Sequence, residues 1–322
     1  MPAISASAPG KVILFGEHAV VYGQPAIAIP VNQVRAKAIV SARPDRPSGW
    51  VSIQAPDIGL EVNLEELPAD NPLSLAIRGV FKATNIYSIP AMAIRITSTI
   101  PIAAGLGSGA AVSVAIIRAL SEFLGKPLPN EQVSILAFEV EKLHHGTPSG
   151  IDNTVITYEK PVFFTRASGG EADQIDRFNI ASPFTILIGD TGVPSPTSVT
   201  VGDVRSGWHE DGIFYERVFE SIGEIVKHAR EAIENGDLAV LGILMNENQD
   251  LLVKMGVSSA ELDHLIRAAR QAGAYGAKLS GGGRGGNMIA LVPRVTADQI
   301  ANALISAGAA NTIVTEVKSR DS

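Results

Sequence analysis

A chain of 322 residues can bury a large core and is predicted to form two domains. With 46% apolar residues, moderate charge and no cysteine, it is neither disordered nor built on disulfides or a thiolate zinc site, and a reducing compartment suits it. The formal charge of −7 excludes a general nucleic-acid binder, so any positive charge that an anionic ligand needs must be local.

The N-terminal third reads as strands and turns: Ile4–Ala8, Lys11–Phe15, Ala26–Val31 and the alternating Val34–Ala42. Residues 43–49, with Pro44, Pro47 and Gly49, read as a hairpin connection. Asn71-Pro72 opens a predicted helix to about Thr84, and Ala91–Thr97 returns as a strand. Residues 96–117 carry no charge, but Pro101, Gly105, Gly107, Ser108 and Gly109 break them into a strand, a loop and a buried helix start rather than a membrane span. A helix follows from about Gly109 to Leu124, then one from Asn130 through Leu143 that Gly146 and Pro148 end. Residues 166–182 are polar and Gly-rich, which places the domain boundary there and divides the chain into 1–175 and 176–322. Beyond it come a strand at Phe184–Gly189, helices near 211–235, 237–255 and 258–272, a Gly-rich loop, a strand at Met288–Val292, a helix near 296–307 and a last strand near 312–317. This alternation predicts an α+β sandwich. The N-terminus has no signal-peptide pattern, so the expected location is cytoplasmic.

Three segments carry chemistry. In His145-Gly146-Thr147-Pro148-Ser149-Gly150-Ile151-Asp152-Asn153 a tight Gly/Pro framework delivers one carboxylate, Asp152, that no hydrophobic pattern requires. Pro101-Ile102-Ala103-Ala104-Gly105-Leu106-Gly107-Ser108-Gly109-Ala110-Ala111 follows a strand and opens a helix, where free N–H groups attract phosphate. It lacks the Walker A Gly-Lys-Ser/Thr, and read alone it is equally a glycine-tight turn beneath a packed helix. Lys278-Leu279-Ser280-Gly281-Gly282-Gly283-Arg284-Gly285-Gly286-Asn287 is too rich in glycine for a mere connection and reads as a loop that closes over phosphates or supports the first one; a flexible surface loop is the alternative. Together they predict an enzyme that places an alcohol between a carboxylate and a nucleotide.

Lys11 stands in an apolar strand and needs an anionic partner unless it snorkels to solvent. Glu17 and His18 follow Gly16 at a turn, where a satisfied structural histidine is the plainer reading of His18. Glu141 reads as a solvated helix carboxylate unless its helix end points into the same site. His144 and His145 adjoin but cannot both face one metal from a regular helix.

In this order the segments resemble the superfamily of galactokinases, homoserine kinases, mevalonate kinases and phosphomevalonate kinases, the GHMP kinases, and among these the mevalonate kinases most. The resemblance is carried by Ala8-Pro9-Gly10-Lys11 running into Gly16-Glu17-His18-Ala19-Val20, by Gly105-Leu106-Gly107-Ser108, and by the Asp152 segment, and it spans nearly the whole chain. It implies an N-terminal domain like the second domain of ribosomal protein S5 and a ferredoxin-like C-terminal domain. ATP would lie over Pro101, Ala104, Gly105, Leu106, Gly107, Ser108, Gly109, Ala110 and Ala111. Asp152 would be the catalytic carboxylate and Lys11 its charged neighbour. Glu141 and Ser108 would hold magnesium, and Glu17, His18 and Thr197, the last in Thr191-Gly192-Val193-Pro194-Ser195-Pro196-Thr197, would face the substrate. The implied reaction is transfer of the γ-phosphoryl of ATP to the 5-hydroxyl of (R)-mevalonate, by an enzyme that takes no nucleic acid or membrane as partner and forms a homodimer. Alternatives are a relative acting on phosphomevalonate, a sugar or homoserine, and a non-catalytic nucleotide-binding regulator. The sequence departs from the family pattern at Gly109, where many relatives have a second serine, at Arg284 and Asn287 in the last motif, and at Gly192 and Ser195.

Overall fold

The computed structural model describes residues 3–101, 105–145, 149–166, 173–195 and 197–318, with the side chains of 144, 145 and 198 left aside. Ala104, the Gly146-Thr147-Pro148 turn, Pro196 and part of the expected boundary segment therefore lie outside the described residues. The chain forms two compact units. The first takes its described residues from Met1–Lys11, Val34–Ile102 and Leu106–Glu159, the second from Val12–Gln33, Ala103–Gly105 and Lys160–Ser322.

Two long strands, β1 (Ala3–Phe15) and β2 (Ala26–Ala42), pair with each other and contribute residues to both units. Each had been expected as two strands. Pro9 and Pro30 do not interrupt them, because proline's fixed φ suits extended chain and costs only one ladder donor.

In the first unit β3 (Val51–Ala55) and β4 (Leu60–Asn63) pair antiparallel. Helix α1 (Pro72–Ala83) starts where Asn71 Oδ1 accepts from the Leu73 N–H at 2.9 Å, with Pro72 in the first turn. Strand β5 (Met92–Ser98) runs parallel to β3 and antiparallel to β2, giving the order β4-β3-β5-β2. Residues 43–49 are thus a crossover and not the expected hairpin: β5 stands between the strands they join. Helices α2 (Ser108–Phe123) and α3 (Asn130–His145) pack with α1 and with each other, α4 (Ile151–Tyr158) packs on α2 and α3, and α2 meets β5. Val114, Ile116, Ile117 and Leu120 of α2 are fully buried, as expected of a helix apolar nearly all round. The short α4, whose first turn carries Asp152, has no counterpart among the expected elements.

In the second unit the first residues of β2 pair with β6 (Val162–Thr165), which pairs with β7 (Gln174–Arg177). The buried strand β8 (Phe184–Asp190) leads to helices α5 (Thr197–Glu210), α6 (Gly212–Asn235), α7 (Leu238–Lys254) and α8 (Ala260–Gln271). Asp211, Asp237 and Ser259 cap α6, α7 and α8 by accepting from backbone N–H groups. Strands β9 (Gly276–Ser280) and β10 (Asn287–Val292), helix α9 (Ala297–Ser306) and strand β11 (Asn311–Val317) complete it. The sheet order β11-β8-β10-β9 is antiparallel throughout, the ferredoxin-like arrangement.

Strand β9 lies at the edge of that sheet, and α7 covers it with side chains in place of a further strand. Asn246 Oδ1 accepts from the Ala277 N–H at 3.1 Å and Gln249 Oε1 from the Leu279 N–H at 2.9 Å. The approach is close: a Cβ on Gly276 would stand 2.1 Å from the Gly242 carbonyl oxygen. Among the described residues no helix is long and apolar enough to cross a membrane.

Candidate active site

The first unit joins Lys11, Asp152, Glu141 and the start of α2. The Lys11 N–H donates to the Leu106 carbonyl at 2.9 Å. That crossing needs Gly10, where a Cβ would meet the Leu106 oxygen at 3.1 Å and Val34 Cγ2 at 3.3 Å. Gly107 then caps α2 in the left-handed region at φ 71°, with no side chain satisfying the helix start. The first intrahelical bond runs from the Ala111 N–H to the Gly107 carbonyl at 3.0 Å, so the N–H groups of Ser108, Gly109 and Ala110 have no acceptor within the helix. Backbone donors at the positive end of a helix can form a phosphate cradle.

Lys11 is buried in its strand, and its Nζ lies 3.0 Å from Asp152 Oδ1. Snorkelling is thereby replaced by an ion pair whose carboxylate remains half-buried. Gly150 at φ 80° caps α4 and sets Asp152 in its first turn, where the helix dipole favours negative charge. Two sets of contacts pin α4. Asn153 Nδ2 donates to Ser134 Oγ at 2.8 Å, tying it to α3. At its other end Glu159, left-handed at φ 51°, takes two hydrogen bonds from Arg35, at 3.0 and 3.2 Å, and lies 3.5 Å from Arg118. Arg35 also donates to Ser7 Oγ at 3.0 Å. Sequence reading missed Arg35, Arg118 and Glu159, whose separations in the chain leave no local signal.

Glu141 is buried and not the solvated carboxylate that its neighbours Glu139 and Lys142 suggested. A Cβ on Gly109 would stand 3.6 Å from its Oε1, so the carboxylate lies beside the first turn of α2. One buried carboxylate next to a phosphate cradle fits magnesium, which keeps several waters and takes other ligands from phosphates. Among the described residues no cluster of three or more acidic or histidine side chains forms an all-protein metal site.

The second unit gathers Glu17, His18 and Thr197 around the β9–β10 hairpin. Gly16 at φ 97° is confined to glycine, because a Cβ would sit 2.5 Å from the Pro25 carbonyl oxygen. His18 has φ 61° and ψ −51°, and the Ala19 N–H donates to the Glu17 carbonyl at 2.7 Å. This is the strained form of γ-turn, a conformation costing about 1–3 kcal/mol that surrounding contacts must hold. Glu17 is buried and ion-paired with Lys278 Nζ, which is fully buried and also donates to the Leu279 carbonyl at 2.7 Å. Burial draws the Lys278 ammonium below its ordinary pKa, and the Glu17 carboxylate opposes that shift. His18 Nε2 lies 3.0 Å from the Gly282 carbonyl, which makes it the donor and fixes the neutral tautomer. Burial, with lesser help from the positive Arg284 and Lys278, pushes the imidazole down to about 4 against the bond to Gly282.

Gly282 also meets Thr197: a Cβ there would lie 2.9 Å from Thr197 Oγ1. Residues 191–195 lace onto the same turn, with Ser195 Oγ donating to the Gly283 carbonyl at 2.7 Å and the Thr191 N–H to the Gly286 carbonyl at 2.9 Å. The Gly-rich run read as a loop is therefore the turn of a hairpin whose arms pair Ser280 with Asn287. Arg284 is ion-paired with Asp203 and donates to the Gly256 carbonyl at 3.3 Å, so its charge is already met within this unit.

Comparison with known proteins agrees with both units. The family profile for the GHMP kinases N terminal domain matches residues 73–160, and that for the GHMP kinases C terminal matches 229–310. The mevalonate kinase of Pyrococcus horikoshii is 39% identical over 90% of this chain and 89% of its own length. That of Pyrococcus furiosus is 37% identical over 98% and 96%. Among solved structures, L. major mevalonate kinase in complex with R-mevalonate superposes with a TM-score of 0.84 at 30% identity, covering 99% of this chain and 97% of that one. The Methanococcus jannaschii mevalonate kinase gives 0.83 at 25% identity, covering 99% of each. An α+β chain of two domains with a phosphate cradle beside an ion-paired carboxylate has the architecture of a small-molecule kinase. The chain belongs to the GHMP kinases.

Proposed function

We infer that this kinase transfers the γ-phosphoryl group of ATP to the 5-hydroxyl of (R)-mevalonate, giving 5-phosphomevalonate and ADP, in the cytoplasm. The observation that carries this reading is the Lys11–Asp152 pair at 3.0 Å, an oriented carboxylate in the unit that holds the phosphate cradle. The near full-length likeness to mevalonate kinases supports the choice of substrate.

In this reading Asp152 accepts and orients the hydroxyl proton of mevalonate. Phosphoryl transfer is largely dissociative, so alignment of that oxygen with phosphorus matters more than strong basicity. Lys11 supplies positive charge near the reacting oxygen and fixes the rotamer of Asp152. The N–H groups of Ser108, Gly109 and Ala110 bind the phosphates and stabilise the charge that develops on them. Glu141 and Ser108 are the residues that would hold magnesium, which when bound neutralises phosphate charge. Gly109 supplies no hydroxyl, so water or phosphate oxygen takes the place that a second serine fills in relatives. Glu17, His18 and Thr197 form the substrate-side group. We further propose residues 1–175 and 176–322 as the two domains, since one family match falls on either side of that division, although it passes through β7 and the compact units place 12–33 and 160–175 with the second unit, and a homodimer as the assembled form.

The test is ADP release by the purified protein with magnesium-ATP and mevalonate, with phosphorus and carbon NMR of the product. Phosphate on the 5-oxygen is the expected result. Turnover only with phosphomevalonate, a sugar or homoserine would overturn the substrate, and ATP binding without transfer to any alcohol would overturn the activity.

A further inference from the structure

Strand β9 and the turn after it grip the 13–18 segment at alternate residues. Lys278 holds the Glu17 carboxylate, Ser280 Oγ donates to the Ile13 carbonyl at 2.8 Å, and the Gly282 carbonyl takes the hydrogen of His18 Nε2 at 3.0 Å. Lys278 and Ser280, two residues apart, share one face of β9, and the turn opened by Gly281 at φ 88° brings the Gly282 carbonyl to the same segment, so strand and turn together act as template for the strained turn. Of the three ties only Lys278 brings a charge into the interior, where its side chain is fully buried. A buried ion pair is a poor source of stability, since an apolar side chain of the same shape often does as well. What the pair does supply is direction: Lys278 reaches the one carboxylate next to the strained residue, while the hairpin holds that residue's ring.

We propose that Lys278 is a positioning residue for the kinase reaction, holding Glu17 and through it the Glu17–His18 turn in the conformation that receives the phosphoryl acceptor. This rests on the reading that mevalonate binds at Glu17, His18 and Thr197. Lys278 is fully buried against Glu17 and works through it. Its loss weakens use of the acceptor while leaving the nucleotide side intact.

The experiment compares wild type, Lys278→Met, Glu17→Gln and the double variant, measuring kcat and the separate KM values for mevalonate and ATP. A misplaced turn is expected to lower kcat/KM for mevalonate by about 10- to 100-fold with the ATP KM unchanged. The double variant is expected to match Glu17→Gln, because Lys278 acts only through that carboxylate. An unchanged kcat/KM for mevalonate in Lys278→Met, equal loss toward both substrates, or a double variant worse than Glu17→Gln would overturn the proposal. Where Lys278→Met fails to fold around an unpaired Glu17, the double variant leaves no buried charge alone, and its comparison with Glu17→Gln decides. Should wild type not turn over mevalonate, the substrate reading falls, and histidine nitrogen NMR tests Lys278 by itself. Loss of the single Nε2–H tautomer of His18 in the variants supports the positioning role, and an unaltered His18 signal overturns it.

Discussion

The stem of Lys11 occupies the place that a side chain on Gly107 would need. A Cβ on Gly107 would stand 2.9 Å from Lys11 Cγ and 2.9 Å from Ile156 Cδ1, the latter on the helix that carries Asp152. The glycine that opens the phosphate cradle is thus also the glycine that lets the lysine reach its carboxylate. Gly107→Ala is expected to cut kcat by about a hundredfold by shifting Lys11 and α4 by roughly 1 Å. The left-handed φ adds a destabilisation of about 1 kcal/mol. Steady-state kinetics beside a melting curve separates the two, and a loss of stability with full kcat would show that Lys11 keeps its place.

Asp152→Asn keeps a hydrogen-bond acceptor for Lys11 and removes the charge. Turnover is expected to fall by about 10²–10⁴-fold, the usual share of a positioned acid–base group. ATP affinity should hold, because the cradle is backbone. Calorimetric ATP binding alongside single-turnover kinetics checks both halves; a variant with near-normal kcat would return Asp152 to the role of a partner for Lys11.

Much of this site could be read from local chemistry. Asn71-Pro72 announces a helix start through a cap and a proline, and the structure uses both. The nearly all-apolar first turns of α2 announce burial. What escaped depends on partners distant in the chain. Strand β3 pairs parallel with β5, a relation with no hairpin signal between them, so residues 43–49 were misread. Strand β9 is short and runs into glycines, and its antiparallel pairing with β10 is what makes it a strand. Glu141 looked solvated because its sequence neighbours are charged, whereas its burial is set by α2. In the sequence Lys278 is only the first residue of a Gly-rich run, and its partner is 261 positions away.

Gly109→Ser tests how Glu141 and the helix start share a metal. A Cβ at 109 would have only ordinary contact, 3.6 Å from Glu141 Oε1, so the serine fits without repacking. An added hydroxyl beside the carboxylate is expected to lower the magnesium concentration needed for half-maximal activity, and Glu141→Gln to raise it. Magnesium titrations at fixed ATP read both. If neither variant moves the midpoint, Glu141 and the first turn of α2 do not hold the ion.

The His18 ring ties stability to pH. In the unfolded chain an imidazole titrates near 6.5, whereas burial holds His18 at about 4 in the fold. Between these values the unfolded state binds the extra proton, so stability is complete above about pH 6.5 and declines as pH falls toward 4. A shift of that size corresponds to roughly 3 kcal/mol at the acid end of the window. Protonation would also add a charge beside Lys278 and Arg284, both already positive. His18→Gln removes the titrating group and should flatten the decline across this window, while other buried groups keep their own. Urea unfolding from pH 4 to 7.5 for the two proteins gives the difference directly: the wild type should lose more stability than the variant on acidification. Parallel curves would mean that the folded protein accepts a proton on His18 as readily as the unfolded chain does.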